Sequence, residues 1–293
     1  MTGSSDNNSV PRLVIKKILA NLQKEGEGAL VRQGITESEH KLLDSFKLLV
    51  EFTFSLSAGF PDHPHRGFES VTYMFKGGII HNDLNGHNGT IRAGDVQWLT
   101  SGRGIIHSEM PEEEVNNGLQ LWINLPSHDK MIEPKYKVQS SLDIPRAEEK
   151  GVEVKVIAGD SMGIQSLVYT RTPTMFLDFT LKPGSQTHQT VPELWTAFAY
   201  IIEGDEGVFG SLNSSAISAH HVVVFGPGDL VSVWNKSTSR PLRFLLIAGE
   251  PIGEPVVQCG PFVMNSQAEI DMAFEDYQNA RNGFEMAKCL RSQ

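Results

Sequence analysis

The sequence predicts an all-β protein made of two antiparallel β-barrel or jelly-roll domains, with a helix at its C-terminal end. Short apolar runs alternate with Gly, Asn, Asp and Pro along most of the chain, a rhythm typical of many-stranded antiparallel barrels. Part of this punctuation repeats, because Gly94-Asp95 precedes an apolar run in the first half and Gly228-Asp229 precedes another in the second. The agreement in spacing favours two copies of one barrel unit.

The first domain follows a polar tail. Residues 1–10 are rich in Ser and Asn, so we expect them to be disordered. Apolar runs at 48–54, 70–75 and 96–100 then follow one another with turn residues between them. We therefore place the N-terminal barrel domain at 11–138.

A linker, a second barrel and a helix complete the predicted order. Residues 139–151 hold many charged side chains and few apolar ones, which indicates a linker, and the C-terminal barrel domain is predicted over 152–293. Near its end, Ser266 and Glu269 form a capping-box pattern, and apolar residues then recur every three or four positions up to Asn282-Gly283. We expect this helix to pack on a barrel.

The composition argues against several classes of protein. The 25 Lys and Arg residues stand against 35 Asp and Glu residues, giving a net charge of −10 with no basic cluster, so no direct contact with nucleic acid is expected. Cys259 and Cys289 make neither a disulfide framework nor a Cys-x-x-Cys pair, which fits a reducing compartment. The polar N-terminus and the lack of a long apolar run predict a soluble intracellular protein that does not bind a membrane.

The most informative residues are histidines and glutamates of the first domain. Side chains alternate faces along a strand, so a strand through His63 and His65 presents both imidazoles, together with Glu69, on one side. Further along the chain, His107 and Glu109 again share one face. If these two strands are neighbours in a barrel, three imidazoles and a carboxylate converge.

This combination predicts a metal site. Mixed nitrogen and oxygen ligands suit Fe(II) and other divalent transition metals, and four protein ligands leave room for exchangeable positions. A His-x-His pair alone also arises by chance among ten histidines, so the second pair, His107 and Glu109, is what favours a metal. The residues leave open whether Glu69 or Glu109 is the carboxylate ligand, since Glu69 could instead orient an imidazole. The second domain repeats the punctuation without these ligands.

The histidine motif and several other segments resemble those of a known family. The motif His-Pro-His-Arg-Gly-Phe-Glu at 63–69, with the segments 94–109, 118–125, 169–174 and 247–265, is similar to the signatures of the pirins, within the cupin superfamily. The resemblance implies a bicupin, with two barrels face to face, an iron site in the N-terminal barrel and none in the C-terminal one. It also implies that the metal ligands are His63, His65, His107 and Glu109, which selects Glu109 over Glu69.

The resemblance further implies two activities. Pirins are associated with quercetin 2,3-dioxygenase chemistry, in which Fe(II), or another divalent transition metal, would bind the oxygen of a flavonol-like small molecule before dioxygen adds. Glu109 would be the catalytic base. The alternative is a nuclear transcription co-regulator or redox-sensing interaction protein without turnover, whose partners would be transcription factors or G-protein subunits. We expect a monomer in the nucleus and cytoplasm.

One segment departs from the family pattern. An apolar run over 50–58 replaces the acidic residue and the Gly-rich basic loop that pirins usually carry there. We expect this departure to change the backbone before the metal ligands and the entrance to the site.

Overall fold

The structure, a computed structural model, describes residues 9–25, 28–84 and 86–290. Residues 1–8 of the predicted disordered tail lie outside the described residues. In chain order the strands are β1 (Val14–Leu19), β2 (Leu22–Glu25), β3 (Ala29–Ile35), β4 (Phe46–Phe54), β5 (Phe60–His65), β6 (Phe68–Lys76), β7 (Gly78–Asp83), β8 (Asn88–Arg92), β9 (Val96–Thr100), β10 (Ile105–Pro111), β11 (Asn116–Asn124), β12 (Lys135–Gln139), β13 (Arg146–Glu149), β14 (Val152–Ala158), β15 (Asp160–Ser161), β16 (Ile164–Gln165), β17 (Thr174–Leu181), β18 (Gln186–Thr190), β19 (Thr196–Glu203), β20 (Gly207–Phe209), β21 (His221–Phe225), β22 (Leu230–Asn235), β23 (Leu242–Gly249), β24 (Val257–Cys259) and β25 (Phe262–Met264).

Helix is a minor component of the described chain. The α-helices are α1 (Gln267–Gln278) and α2 (Ala287–Leu290), and short 3-10 turns lie at Glu37–Glu39 and Ser127–Asp129. Within the described ranges no helix is both long and apolar enough to cross a bilayer. The prediction of a mainly β protein with a C-terminal helix is confirmed.

The chain divides into two compact units whose ends differ from the predicted domains 11–138 and 152–293. The first unit combines Asn21–Ile144 with Ile252–Gln293, and the second unit combines Pro145–Pro251 with the segment before Asn21. Strand β1 pairs with β21 and thus completes a sheet of the second unit, while α1 packs against β24 and β25 in the first unit. The predicted domain ends therefore need correction, because pairing and helix docking join segments that are distant in sequence. The change of unit after Ile144 falls inside the predicted linker at 139–151.

The first unit contains two large antiparallel sheets besides the short antiparallel pair β24-β25. One has seven strands in the order β12-β9-β6-β11-β4-β3-β2, and the other has four in the order β5-β10-β7-β8. Part of the core between them is a group of buried apolar side chains. Its largest members are Phe52, Phe54, Met74, Ile79 and Ile91. The strands carrying the predicted ligands, β5 and β10, are hydrogen-bonded neighbours in the smaller sheet.

The second unit has a similar plan with a filled interior. A seven-stranded sheet, β1-β21-β19-β23-β17-β14-β13, accompanies a three-stranded sheet, β18-β22-β20. Apolar side chains such as Leu177, Phe209 and Phe244 form one continuous buried core. His188 on β18 is exposed and shares a hydrogen bond of 2.8 Å with the hydroxyl of Ser232.

Ser266 is the N-cap of the C-terminal helix, as the sequence predicts, while the Glu269 side chain reaches back to Asn265, one residue before the predicted capping-box partner. The Ser266 hydroxyl accepts a hydrogen bond from the Glu269 amide at 3.3 Å, and the Glu269 carboxylate accepts one from the Asn265 amide at 3.0 Å. The first of these contacts satisfies an amide group that the first turn of a helix leaves without a partner. Ile270 and Ala273 on the inner face are fully buried.

Candidate metal centre

Three imidazoles converge where β5 meets β10. His107 lies opposite His63 in the antiparallel register, and His65 is two residues further along β5. One ring nitrogen from each of His63, His65 and His107 lies within 4.8 Å of the others. The Nε2 atoms of His63 and His65 are 3.1 Å apart. The three histidines therefore converge, as the alternation of side chains along the two strands predicts.

The surroundings of these rings fit a divalent transition metal. His65 and His107 are only 3% and 1% exposed. Burial, reinforced by the nearby His63, lowers the pKa of His107 to about 3 and holds the pKa of His65 well below its usual value. Both rings are therefore neutral at pH 7, with lone pairs ready to bind a metal. Neither ring nitrogen of His107 has a hydrogen-bond partner among the described residues, and a buried polar atom without a partner is costly.

Glu109 lies beside the three rings but is held by other groups. A bulge separates His107 from Glu109 in the pairing of β10 with β5. The Gln120 side-chain amide donates to both Glu109 carboxylate oxygens, at 3.1 and 3.4 Å, and the Thr72 hydroxyl donates to one of them at 3.4 Å. Glu109 is not in the group of mutually close ligand atoms found among the described residues. It forms part of the cavity wall next to that group.

Glu69, the other candidate for the carboxylate ligand, is not grouped with the three histidines. Gly67 has a φ of +87° and lies between β5 and β6, so the alternation of side chains that starts at His63 does not continue to Glu69. The Glu69 carboxylate instead accepts a hydrogen bond of 2.6 Å from the Thr100 hydroxyl. The expectation that Glu69 shares a face with His63 and His65 is therefore wrong.

A cavity of about 300 Å³ opens beside the histidines. Its wall is mainly apolar and aromatic, with polar groups beside the histidines and further polar side chains at Glu25 on β2 and Gln33 on β3. The lining residues are Glu25, Gln33, Leu48, Val50, Phe52, Phe60, His63, His65, Glu109, Gln120, Trp122 and Pro261. This size and lining are typical of a site for a small organic molecule.

Sequence patterns do not single out two of the residues that surround Glu109. Gln120 and Thr72 contact Glu109, yet neither belongs to a recognisable ligand motif. The available signal was the polar Gln120 within the otherwise apolar run Leu119 to Leu121 of a buried strand. The segment expected to change the entrance contributes Val50 and Phe52 to the cavity wall.

The C-terminal helix supports the strands that carry the histidines. Arg66, directly after His65, donates from Nη1 to the Asp276 carboxylate at 3.0 Å and from Nε to the Arg103 carbonyl at 2.7 Å. Its Nη2 donates to the Asn282 carbonyl at 2.7 Å. Because Arg103 lies just before β10, one guanidinium links the end of β5, the start of β10 and the helix.

Comparison with known proteins agrees with this arrangement. Family models described as Pirin and as the Pirin C-terminal cupin domain match residues 29–123 and 176–283. Pirin-1 of Arabidopsis thaliana is 87% identical, covering 97% of this chain and 99% of that protein, and Pirin of Homo sapiens is 50% identical, covering 96% and 97%.

Solved structures give the same picture. A quercetin 2,3-dioxygenase from Acinetobacter baumannii superimposes with a TM-score of 0.86 at 31% identity, over 94% of this chain and 99% of that one. The bacterial pirin YhhW from Escherichia coli, solved in complex with nickel(II), has a TM-score of 0.64 at 17% identity, over 80% of this chain and 98% of that one. At that level of identity the likeness to YhhW concerns the fold alone.

Proposed function

The chain belongs to the pirin family, and from that membership we propose that it is a metal-dependent dioxygenase that cleaves a flavonol such as quercetin. The observation that carries the proposal is the position of the three histidines, which meet beside a mainly apolar cavity with Glu109 on its wall. The likeness to a quercetin 2,3-dioxygenase over nearly the whole chain supports the choice of substrate class.

We assign the metal to His63, His65 and His107, with Glu109 as the fourth ligand. Three imidazole nitrogens and one carboxylate suit Fe(II), and they also suit other divalent transition metals. When bound, such a metal supplies a Lewis acid with exchangeable positions for a phenolic oxygen and for dioxygen.

The protein's own groups bind the substrate and move a proton. The cavity offers the rings of Phe52, Phe60 and Trp122 to a flat aromatic molecule and excludes water from its face. Glu109 accepts the proton of the substrate hydroxyl that faces the histidines, at a carboxylate oxygen already held in place by Gln120. The overall reaction consumes one dioxygen for each flavonol and releases carbon monoxide from the cleaved ring.

The test compares wild type with His107→Ala. Elemental analysis and oxygen uptake with quercetin should show metal and turnover in the wild type and the loss of both in the variant. His188→Ala is the matched control, because His188 is an exposed histidine of the second unit and should change neither. Metal and turnover unchanged in H107A would refute the site. A wild type that holds metal but never consumes quercetin would refute the dioxygenase, and partner binding that depends on the metal's redox state would then favour an interaction protein.

A further inference from the structure

We propose that Gln120 is a positioning residue that fixes the carboxylate of Glu109, and that Trp122 fixes Gln120. The inference rests on the proposed role of Glu109 at the metal centre. It assigns a function to a side chain that belongs to no ligand motif and that forms part of the cavity wall.

The direction of the hydrogen bonds carries the argument. The Trp122 indole nitrogen lies 2.9 Å from the Gln120 amide oxygen, and an indole N–H can only donate. The oxygen of the amide must therefore face Trp122, and its NH₂ group must face Glu109. At 3.1 and 3.4 Å from the two carboxylate oxygens, that NH₂ group offers donors and no acceptor. Glu109 is thus held as an acceptor in one orientation.

Trp122 is itself held by rings around the metal centre. Its indole stacks on Phe68 with ring centroids 4.2 Å apart and meets the edge of His65 at 5.3 Å. One indole therefore contacts a proposed metal ligand and also orients the amide that holds another. This connection couples His65 and Glu109 through the cavity wall, without a direct bond between them.

The hydrogen bond from Gln120 matters because Glu109 is buried. Glu109 is only 2% exposed, so its carboxylate depends on protein donors in place of water. Thr72 is the other donor, and at 3.4 Å its hydrogen bond is longer than the shorter one from Gln120. Loss of the Gln120 amide therefore leaves the carboxylate with its weaker partner alone. Groups that orient a metal ligand change metal affinity by about 10- to 100-fold when removed.

The test is a double-mutant cycle on Co(II) binding, with the visible spectrum of the bound ion as a second readout. Gln120→Met should lower Co(II) affinity about tenfold and alter the spectrum. In a Glu109→Gln background, the same change should cost nothing further, because Gln120 acts only through Glu109. Trp122→Phe keeps a ring beside His65 but removes the indole donor, and it should lower affinity in the same direction by less.

Gln33→Met is the matched control. Gln33 lines the same cavity, and none of the described hydrogen bonds joins it to Glu109, so Co(II) affinity should stay at the wild-type value. Circular dichroism on each variant checks that it is folded. The proposal is overturned if Q120M binds Co(II) as wild type does, if its loss is equally large in the Glu109→Gln background, or if Glu109→Gln itself leaves Co(II) affinity unchanged. Absence of quercetin turnover in the wild type would refute the dioxygenase without touching this result.

Discussion

Replacing Asp276 by Asn is expected to destabilise the first unit by about 3 kcal/mol. The Arg66 side chain is only 2% exposed, and the Asp276 carboxylate, 3.0 Å from Nη1, is its ion-pair partner. Removing one partner of a buried pair leaves an uncompensated charge and costs about 3–5 kcal/mol. The lower end applies here, because Arg66 keeps its hydrogen bonds to the carbonyls of Arg103 and Asn282.

Urea unfolding followed by tryptophan fluorescence measures the loss, and hydrogen exchange in 267–278 locates it. Asp205→Asn is the control, since Asp205 pairs with Arg240 at the surface, where both side chains are more than half exposed, and it should cost less than about 1 kcal/mol. Removing both charges in Arg66→Met/Asp276→Leu should recover only part of the lost stability, because Asp276 also accepts hydrogen bonds from Arg281 and Asn282. The reasoning fails if D276N unfolds within 1 kcal/mol of wild type, or if the double variant is no more stable than D276N.

Two other substitutions test the backbone and the charge near the histidines. Burial lowers the pKa of Lys130 to about 7 in the folded protein. Between about pH 7 and 10 the unfolded chain therefore holds more protons at this residue than the folded chain does. The free energy of unfolding of the wild type should rise with pH over this range, by up to about 1.4 kcal/mol per pH unit. Lys130→Met should lack this rise in urea midpoints measured from pH 7 to 9.5, and parallel curves would contradict the assignment. Gly67→Ala should cost at least about 2 kcal/mol in thermal unfolding, since its φ is +87° and the new Cβ would collide with the Val263 carbonyl oxygen. Gly163→Ala, at +75° with open space around it, should cost about 1 kcal/mol, and equal losses would show that the close approach is unimportant.

Features written in a few adjacent residues could be predicted from the sequence. The capping pattern at Ser266 and Glu269 gave the start of α1, and alternation within one short strand placed His63 and His65 together. The same alternation failed for Glu69, because Gly67 interrupts the strand and resets the faces. The alternation of side chains between the two faces of a strand can be used only within one unbroken strand.

Features that depend on distant segments could not be predicted in this way. The sequence around Lys17 does not indicate that β1 pairs with β21, where Lys17 lies opposite Val223. The sequence of α1 likewise does not indicate which unit the helix joins. The contact between Gln120 and Glu109 is equally hidden in the sequence, because it joins β11 of one sheet to β10 of the other. A polar residue in an apolar strand can be noticed in the sequence, but its partner cannot.

The apolar segment 50–58, which departs from the pirin pattern, affects which substrate the cavity can bind. It was expected to change the entrance to the site, and part of it lies in β4, where alternation turns Val50 and Phe52 toward the cavity. Two apolar side chains there extend the surface formed by Phe60 and Trp122, and the cavity wall also carries the polar side chains of Glu25 and Gln33. A flat aromatic molecule with one hydroxyl directed at Glu109 would pack against these apolar side chains, which is how the unusual segment fits the proposed flavonol chemistry.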